Sequence, residues 1–297
     1  MPYALKASVA VQSDPIPILY SNASIWVGNY DSSSVSRIDP VTNTVIATIT
    51  SAGVLTNPVS LAEDDLGNVW VACGNFTSGS VSRIDPATNT VTASLYTSNG
   101  SRPFGIGMGA GEMWVSFNVS TGAYERFDTT TLASTYGSPG GLGYGYNVVD
   151  DGTNVWFDNG SVCNKIDPAT NTVTAVTAGI IGGLGFLHYA FGYIWRVTNT
   201  GIQRVDPSTN AVTTITLVQT SYGITDDGTD LIVSDIGGEL YVIDPTSFTV
   251  KQTLTSTSYY WGTTFGSGSI WVNARSSSLC KRFSPIGVGW VRGHAWG

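Results

Sequence analysis

A five-residue motif, Asp-Pro-x-Thr-Asn, recurs along the chain, and its spacing limits what the chain can fold into. We call this motif the corner. It occurs complete four times, in DPVTN, DPATN twice and DPSTN, and successive copies of its aspartate position lie 38–46 residues apart. The aspartate position is occupied by Asp39, Asp85, Asp128, Asp167, Asp206 and Asp244, with Ser284 in the seventh place.

A second marker repeats ahead of the corner and gives the same number of units. It is a tryptophan inside a short apolar run such as SIWV or NVWV. The marker positions are Trp26, Trp70, Trp114, Trp156, Trp195 and Trp271, with Ile232 taking the tryptophan position of the sixth unit. Two independent markers therefore agree on seven units.

Each unit contains four short segments in which apolar and polar residues alternate, separated by Gly, Asp, Asn and Pro clusters. Four antiparallel strands repeating at about 40 residues are typical of a β-propeller blade. The sequence predicts an all-β, seven-bladed propeller with four-stranded blades. We expect the repeated tryptophans to fill the space between neighbouring blades rather than to bind a ligand.

The corner has the composition of a tight turn between the third and fourth strands. Its Asp side chain can accept backbone N–H groups, Pro presets φ, and Asn tolerates the left-handed conformation. A basic residue stands two positions before the aspartate, and we expect it to pair with that aspartate locally. These basic residues are Arg37, Arg83, Arg126, Lys165, Arg204 and Arg282.

The repeat phase predicts how the ring closes. The first unit begins near Asp14, so residues 3–13 stand where an outer strand belongs and are predicted to complete the last blade. This gives one propeller domain over residues 1–285 and a C-terminal tail over 286–297. In the alternative arrangement, the tail forms the outer strand and the N-terminus stays free.

Composition bears on partners and location. Asp and Glu outnumber Lys and Arg by 21 to 13, so a nucleic-acid partner is disfavoured. No segment has the pattern of a secretory signal or a membrane span. Cys73, Cys163 and Cys280 are widely spaced and are interpreted as buried single thiols. We expect a virion or extracellular surface location rather than the cytoplasm.

The pattern NxVxRIDPATNTVTA…G…P…G…GNVWV resembles the YVTN propeller repeats and the related virginiamycin B lyase-like propellers. The resemblance extends over nearly the whole chain and implies the propeller fold. For lyase members it further implies a histidine general base, an acidic neighbour and Mg²⁺ at the propeller mouth. The two histidines here, His188 and His294, have no carboxylate within a few residues. No catalytic residue is carried over, and no cofactor or metal is predicted.

Acidic pairs at 64–65, 150–151 and 226–227 fall in the hairpin between the first two strands of alternate units. Carboxylates and turn carbonyls could hold Ca²⁺ there. Asp-Asp-Gly is also ordinary turn composition, and the turn interpretation is preferred.

Aromatic residues recur where the chain enters the inner strand of each unit, beside neutral polar loops. Flat rings with hydroxyl and amide neighbours suit stacking on sugar rings or gripping a peptide; alternatively, they plug the narrow inner ends of the blades. The candidate ligand-binding residues are Phe104, Tyr144, Tyr146, Phe186, Tyr222, Tyr260 and Trp261.

Together these features predict a non-enzymatic binding or assembly propeller. It would be a surface or virion component, such as a phage tail protein, and would recognise a glycan or a partner protein. Trp290 and Trp296 in the tail are the candidate partner-binding residues. The alternative function is a virginiamycin B lyase-like enzyme with a divergent site.

Overall fold

A computed structural model of the chain describes residues 2–74, 79–98, 102–117, 122–138, 145–183, 186–217, 219–256 and 258–286. These residues form seven four-stranded antiparallel sheets and one short 3₁₀ turn, Arg275–Ser277. The predicted seven-bladed propeller is confirmed. None of the described residues belongs to a helix long and apolar enough to cross a membrane.

The strands follow one another in blade order. The N-terminal strand is β1 (Tyr3–Ala10). Blade 1 contains β2 (Pro15–Ser21), β3 (Ser24–Asn29), β4 (Ser34–Asp39) and β5 (Thr44–Thr50). Blade 2 contains β6 (Pro58–Glu63), β7 (Val69–Cys73), β8 (Ser80–Asp85) and β9 (Thr90–Tyr96). Blade 3 contains β10 (Pro103–Gly109), β11 (Glu112–Phe117), β12 (Tyr124–Asp128) and β13 (Ser134–Gly137).

The remaining blades repeat this order. Blade 4 contains β14 (Asn147–Asp150), β15 (Val155–Asp158), β16 (Cys163–Asp167) and β17 (Thr172–Val176). Blade 5 contains β18 (Leu187–Ala190), β19 (Tyr193–Thr198), β20 (Gly201–Val205) and β21 (Val212–Thr216). Blade 6 contains β22 (Ser221–Asp226), β23 (Leu231–Asp235), β24 (Glu239–Ile243) and β25 (Val250–Thr255). Blade 7 contains β26 (Tyr260–Gly266), β27 (Ser269–Ala274) and β28 (Leu279–Pro285).

Strand β1 completes blade 7, as predicted. It pairs antiparallel with β28 from Tyr3 opposite Pro285 to Ala10 opposite Leu279. This pairing covers the edge that β28 would otherwise leave open. The ring is therefore closed by joining the first strand of the chain to the last described one.

The repeated tryptophans are core residues, which confirms their predicted role. All six are fully buried between blades. Each indole N–H donates toward the hairpin after the inner strand. Four donate to a carbonyl five residues earlier, as Trp26 does to Ser21 at 3.0 Å, and two donate to an aspartate of that hairpin.

The corners adopt the predicted turn. In blade 1 the Asp39 carboxylate accepts the N–H of Val41 at 2.8 Å, and Asn43 has a φ of 58°. The same left-handed φ recurs at Asn89, Asn171 and Asn210. These backbone hydrogen bonds lower the pKa of the corner carboxyls.

The basic residue before each corner was predicted to pair with the aspartate of its own corner, and this partner is wrong. Arg37 reaches past its own blade and donates to the Pro86 carbonyl and, at 2.9 Å, to the Asn89 side chain in the next corner. Its guanidinium also lies 4.9 Å from the ring centre of Trp26. The four equivalent contacts to a neighbouring corner are made by Arg83, Arg126, Lys165 and Arg282. Strand pleating explains this, because the basic side chain shares a sheet face with the tryptophan directly opposite it.

The three cysteines are free and buried, as predicted. Burial raises the pKa of the Cys73 thiol to about 11. A thiol that stays protonated at neutral pH is unreactive, so these cysteines act as small apolar core residues.

Candidate functional site

The propeller has two different faces. The loops entering the inner strands, together with the loops between second and third strands, form one face, which we call the mouth face. The corners and the hairpins after the inner strands form the opposite corner face. The predicted aromatic residues that the structure describes belong to inner-strand entrances and so to the mouth face.

Inner strands from all seven blades surround a central channel of about 380 Å³. Its wall is mainly aliphatic, with residues such as Ile18, Leu61 and Val149. Of the predicted aromatic residues, Phe186, Tyr222 and Trp261 line it. An apolar channel with a few aromatic and polar groups at its opening has the general form of a ligand site.

Three rings from two adjacent blades form a cluster at the channel opening, which we call the aromatic cluster. The ring centres of Tyr222 and Trp261 are 4.2 Å apart, and Tyr259 lies 6.1 Å from Tyr222 and 6.3 Å from Trp261. Each of these side chains is only partly buried. Burial, followed by a hydrogen bond with Tyr259, raises the pKa of Tyr222 to about 12. Its phenol is therefore neutral across the physiological pH range.

A charged pair supports this cluster. Arg275 leaves the loop between the second and third strands of blade 7, and its guanidinium lies 4.6 Å from the Trp261 ring centre. It donates through two nitrogens to the carboxylate of Asp14, in the segment between β1 and β2. That carboxylate raises the pKa of Arg275. The Arg275 guanidinium thus packs on one face of the Trp261 ring, and its pairing with Asp14 leaves little net charge beside the three rings.

The placement of Tyr260 corrects the sequence prediction. Tyr260 is fully buried and packs edge-on against Phe283 at 6.4 Å. Successive side chains of a strand point to opposite sides, so Tyr260 enters the core while its neighbours Tyr259 and Trp261 remain accessible. The alternation of the YYW run was the signal that would have selected Tyr259 instead.

The other predicted residues do not join the aromatic cluster. Phe104 and Tyr146 form a separate edge-to-face pair at 5.3 Å, with the Arg102 guanidinium 5.7 Å from the Phe104 ring. Phe186 packs against the apolar contact between blades 5 and 6. Tyr144, Trp290 and Trp296 lie outside the described residues.

Buried polar side chains hold the mouth-face loops in place. In blades 2, 3, 5 and 7, the residue before the basic residue points to the other side of its strand and bonds the loop that enters its own blade. Glu125 accepts from the Ser98 backbone N–H at 3.0 Å, and Lys281 donates to Ser256 at 2.7 Å. In blade 5, the Gln203 side chain donates to the Gly179 carbonyl and accepts from Arg196. Arg196 also forms a fully buried ion pair with Asp158. These hydrogen bonds hold the loops that enter blades 2, 3, 5 and 7.

Sequence reasoning missed a second polar feature, in the channel. His188 Nε2 lies 2.7 Å from Asp226 Oδ2, across the contact between blades 5 and 6, and both side chains are about a quarter exposed. The two residues are 38 apart in sequence, so a search for nearby carboxylates could not find the pair. The hydrogen bond to His188 lowers the pKa of Asp226. Asp226 lies four residues beyond Tyr222 on β22, roughly 13 Å along the strand toward the corner face.

The acidic pairs support the turn interpretation over calcium binding. Asp64 accepts from the backbone N–H groups of Leu66 and Asn68 and from the Trp70 indole. Asp151 bonds Thr153 and Trp156 in the same way. Within the described ranges, no group of three or more His, Cys, Asp or Glu side chains could hold a metal ion.

Comparisons with known proteins match the fold. Virginiamycin B lyase from Staphylococcus aureus superposes with a TM-score of 0.82 at 15% identity, covering 96% of this chain and all of that one. A streptogramin B lyase gives 0.80 at 15% identity, covering 95% and 97%. The extracellular domain of a two-component-system protein from B. thetaiotaomicron gives 0.73 at 16% identity, covering 91% of this chain and 40% of that one.

No protein-family model and no curated protein sequence matches the chain. The structural neighbours are thus virginiamycin B lyase-like seven-bladed propellers, consistent with the sequence resemblance. At this level of identity the likeness concerns the fold, and the activity has to be argued from the side chains.

Proposed function

We propose that the protein is a non-enzymatic binding propeller that recognises a neutral saccharide through the aromatic cluster on its mouth face. The observation that carries this proposal is the grouping of Tyr222, Tyr259 and Trp261. Their ring centres lie within 6.3 Å of one another, and the rings stay partly accessible at the channel opening. Aromatic rings that served only to pack the core would be buried, and three accessible rings at one opening are more typical of a binding surface.

The charges around the cluster favour an uncharged ligand. The Arg275 guanidinium is paired with Asp14 through two nitrogens, so it offers little free charge to an anion. The Tyr222 hydroxyl, with its pKa near 12, remains a neutral donor and acceptor. Flat rings beside neutral hydroxyls complement the apolar faces and hydroxyl edges of a sugar.

The proposed setting is a virion or another extracellular surface, with a phage tail component as one example. The chain carries only 13 basic residues in 297, and one structural neighbour is an extracellular domain. In this setting the propeller would attach to a surface glycan while other parts of its surface contact a partner protein.

A glycan-array screen followed by calorimetry on the best saccharide tests the proposal. Trp261→Ala and Tyr259→Ala should each weaken binding about 5- to 10-fold, equivalent to about 1–1.4 kcal/mol of lost stacking. Tyr96→Ala is the matched control, because Tyr96 is 65% exposed at the end of the outer strand β9, at the periphery of the ring, and does not line the channel. If no saccharide binds, or if the control weakens binding as much as the cluster variants, the proposal fails.

A second candidate function is a lyase-like activity, favoured by the His188–Asp226 pair in the channel. A carboxylate that orients a histidine is an arrangement used in general-base catalysis. The protein would be incubated with virginiamycin B and the remaining substrate followed by chromatography. Turnover that is lost in both His188→Gln and Asp226→Asn would support this candidate, whereas unchanged substrate would eliminate it.

A further inference from the structure

The contact between blades 6 and 7 lacks three groups that fill the corresponding place elsewhere in the ring. We call the contact between consecutive blades a seam. Blade 6 carries Ile232 instead of tryptophan and Val242 instead of the basic residue. Blade 7 has no corner to receive a cation, because its third strand β28 is followed by the tail and its outer strand is β1.

The N-terminal strand β1 compensates for only part of the missing tryptophan, basic residue and corner. The Tyr3 hydroxyl donates to Asp227 at 2.6 Å, and the Tyr3 backbone exchanges two hydrogen bonds with the Gln252 side chain. Beside Tyr3 a cavity of about 310 Å³ remains. Among the described residues, it is lined by Pro2, Asp230, Val242, Lys251 and Gln252.

The C-terminal tail begins at the rim of this cavity. The Ile286 N–H donates to the carbonyl of Pro2, a lining residue, at 2.7 Å. Four further residues reach Trp290, and four extended residues span at most roughly 14 Å. The tail is therefore long enough to bring that indole over the cavity.

The cavity has the chemistry of the other seams without their aromatic ring. In five seams a cation lies 4.9–6.0 Å from a buried tryptophan. Here the cation is Lys251, held by Asp230 at 2.5 Å and Asp244 at 3.1 Å. Val242 and Pro2 supply apolar wall, and Asp230 can accept an indole N–H as Asp64 does from Trp70. A cavity of about 150 Å³ holds a benzene ring, so one of about 310 Å³ accommodates an indole.

We propose that the C-terminal tail docks on its own propeller, with the Trp290 side chain filling the cavity between blades 6 and 7. The tail then supplies at this seam the aromatic ring that blade 6 lacks. The earlier expectation that Trp290 binds a partner chain rested on the tail having no role within the ring, and the incomplete seam provides such a role. The proposal concerns the corner face and does not depend on saccharide binding at the mouth face.

Thermal unfolding of the full chain tests this inference. Trp290→Ala should lower the Tm by about 4–8 °C, independent of protein concentration. Trp296→Ala, in the same tail, is the matched control and should change the Tm by about 1 °C or less. Combined with Val242→Ala, Trp290→Ala should cost less than the sum of the two single changes, because both remove the same contact.

Cross-linking gives a second readout that does not depend on stability. Pro2→Cys with Val291→Cys, which leaves Trp290 in place, should form an intramolecular disulfide on mild oxidation, since Cys73, Cys163 and Cys280 are buried. An unchanged Tm in Trp290→Ala would overturn the proposal. So would additive effects with Val242→Ala, or a disulfide that forms only between two copies of the chain, which would place the tail on a second copy instead.

Discussion

The regular seams and the seam between blades 6 and 7 hold the ring together in different ways. At the seam between blades 1 and 2, Arg37 lies over Trp26 and donates to the corner of blade 2. Between blades 6 and 7, Val242 replaces the arginine, and the hydroxyl of Tyr3 bonds Asp227 instead. The basic residue is absent at the place where no corner follows, in line with the hydrogen bonds that join cation and corner at five other seams.

The difference explains why the motif is repeated so faithfully. The turn tolerates variation in sequence, as DTTTL in blade 3 demonstrates, and even there the Thr129 carbonyl accepts from Arg83 of blade 2 at 3.0 Å. A carbonyl that must receive the preceding blade's cation needs the same backbone path each time. We therefore attribute the repeat to contacts between blades as well as to turn formation within each blade.

Of the changes that test this difference between the seams, removal of the closing strand β1 should destabilise the protein most. Deletion of residues 1–13 exposes the edge of β28 and removes the Tyr3 hydrogen bond to Asp227 at the seam between blades 6 and 7. We expect loss of cooperative folding, or a Tm lower by more than about 10 °C, because ring closure couples all blades. Circular dichroism melting measures this. An unchanged melting curve would mean that β1 contributes nothing to closure.

Substitutions at the tryptophan position should destabilise a regular seam more than the seam between blades 6 and 7. Trp70→Leu removes buried ring volume and the indole bond to Asp64, and should cost about 2–4 kcal/mol in the free energy of unfolding. Ile232→Leu is the matched change in blade 6 and conserves volume, so it should cost less than about 1.5 kcal/mol. Urea denaturation provides both values, and equal losses would contradict the distinction.

The sequence specified the propeller, the blade number and the closure, because these depend on patterns that repeat in every unit. It also gave the corner conformation at Asn43 and its equivalents. It could not give Tyr259 over Tyr260 at the mouth, since that choice rests on the pleat of one strand. The Arg37 contact to the next blade and the His188–Asp226 pair were missed for a common reason: both join separate blades, and only the assembled ring brings them together.

Removing the basic residue from a regular seam, or adding one to the seam between blades 6 and 7, should have a smaller effect on stability. Arg282→Met keeps the apolar stem but removes the hydrogen bonds to Pro40 and Asn43 and the charge over Trp271. We expect a loss of about 1–2 kcal/mol in the free energy of unfolding. The reverse change, Val242→Arg, should give no gain, because blade 7 has no corner carbonyl to receive it. A stabilisation by Val242→Arg would show that the cation acts without the corner.

The smallest expected effect is an acid dependence carried by the corners. A side-chain hydrogen bond from Ser208, followed by bonds from the backbone N–H groups of Thr209 and Ser208, lowers the pKa of Asp206 from 3.8 to about 2. A carboxyl whose pKa is depressed in the folded state stabilises the protein above its ordinary pKa, and that contribution disappears as the pH falls from about 3.8 to about 2. Asp206→Asn should therefore flatten the pH dependence of unfolding in this window. Because Ser284 stands at the corner aspartate position in blade 7, blade 7 has no corner carboxyl to lose. Hydrogen exchange at pH 2–4 should therefore become faster first at the corner turns of blades 1 to 6, while the pairing of β1 with β28 stays protected. Exchange that begins at the β1–β28 pairing would instead make closure, rather than the corners, the acid-sensitive part of the ring.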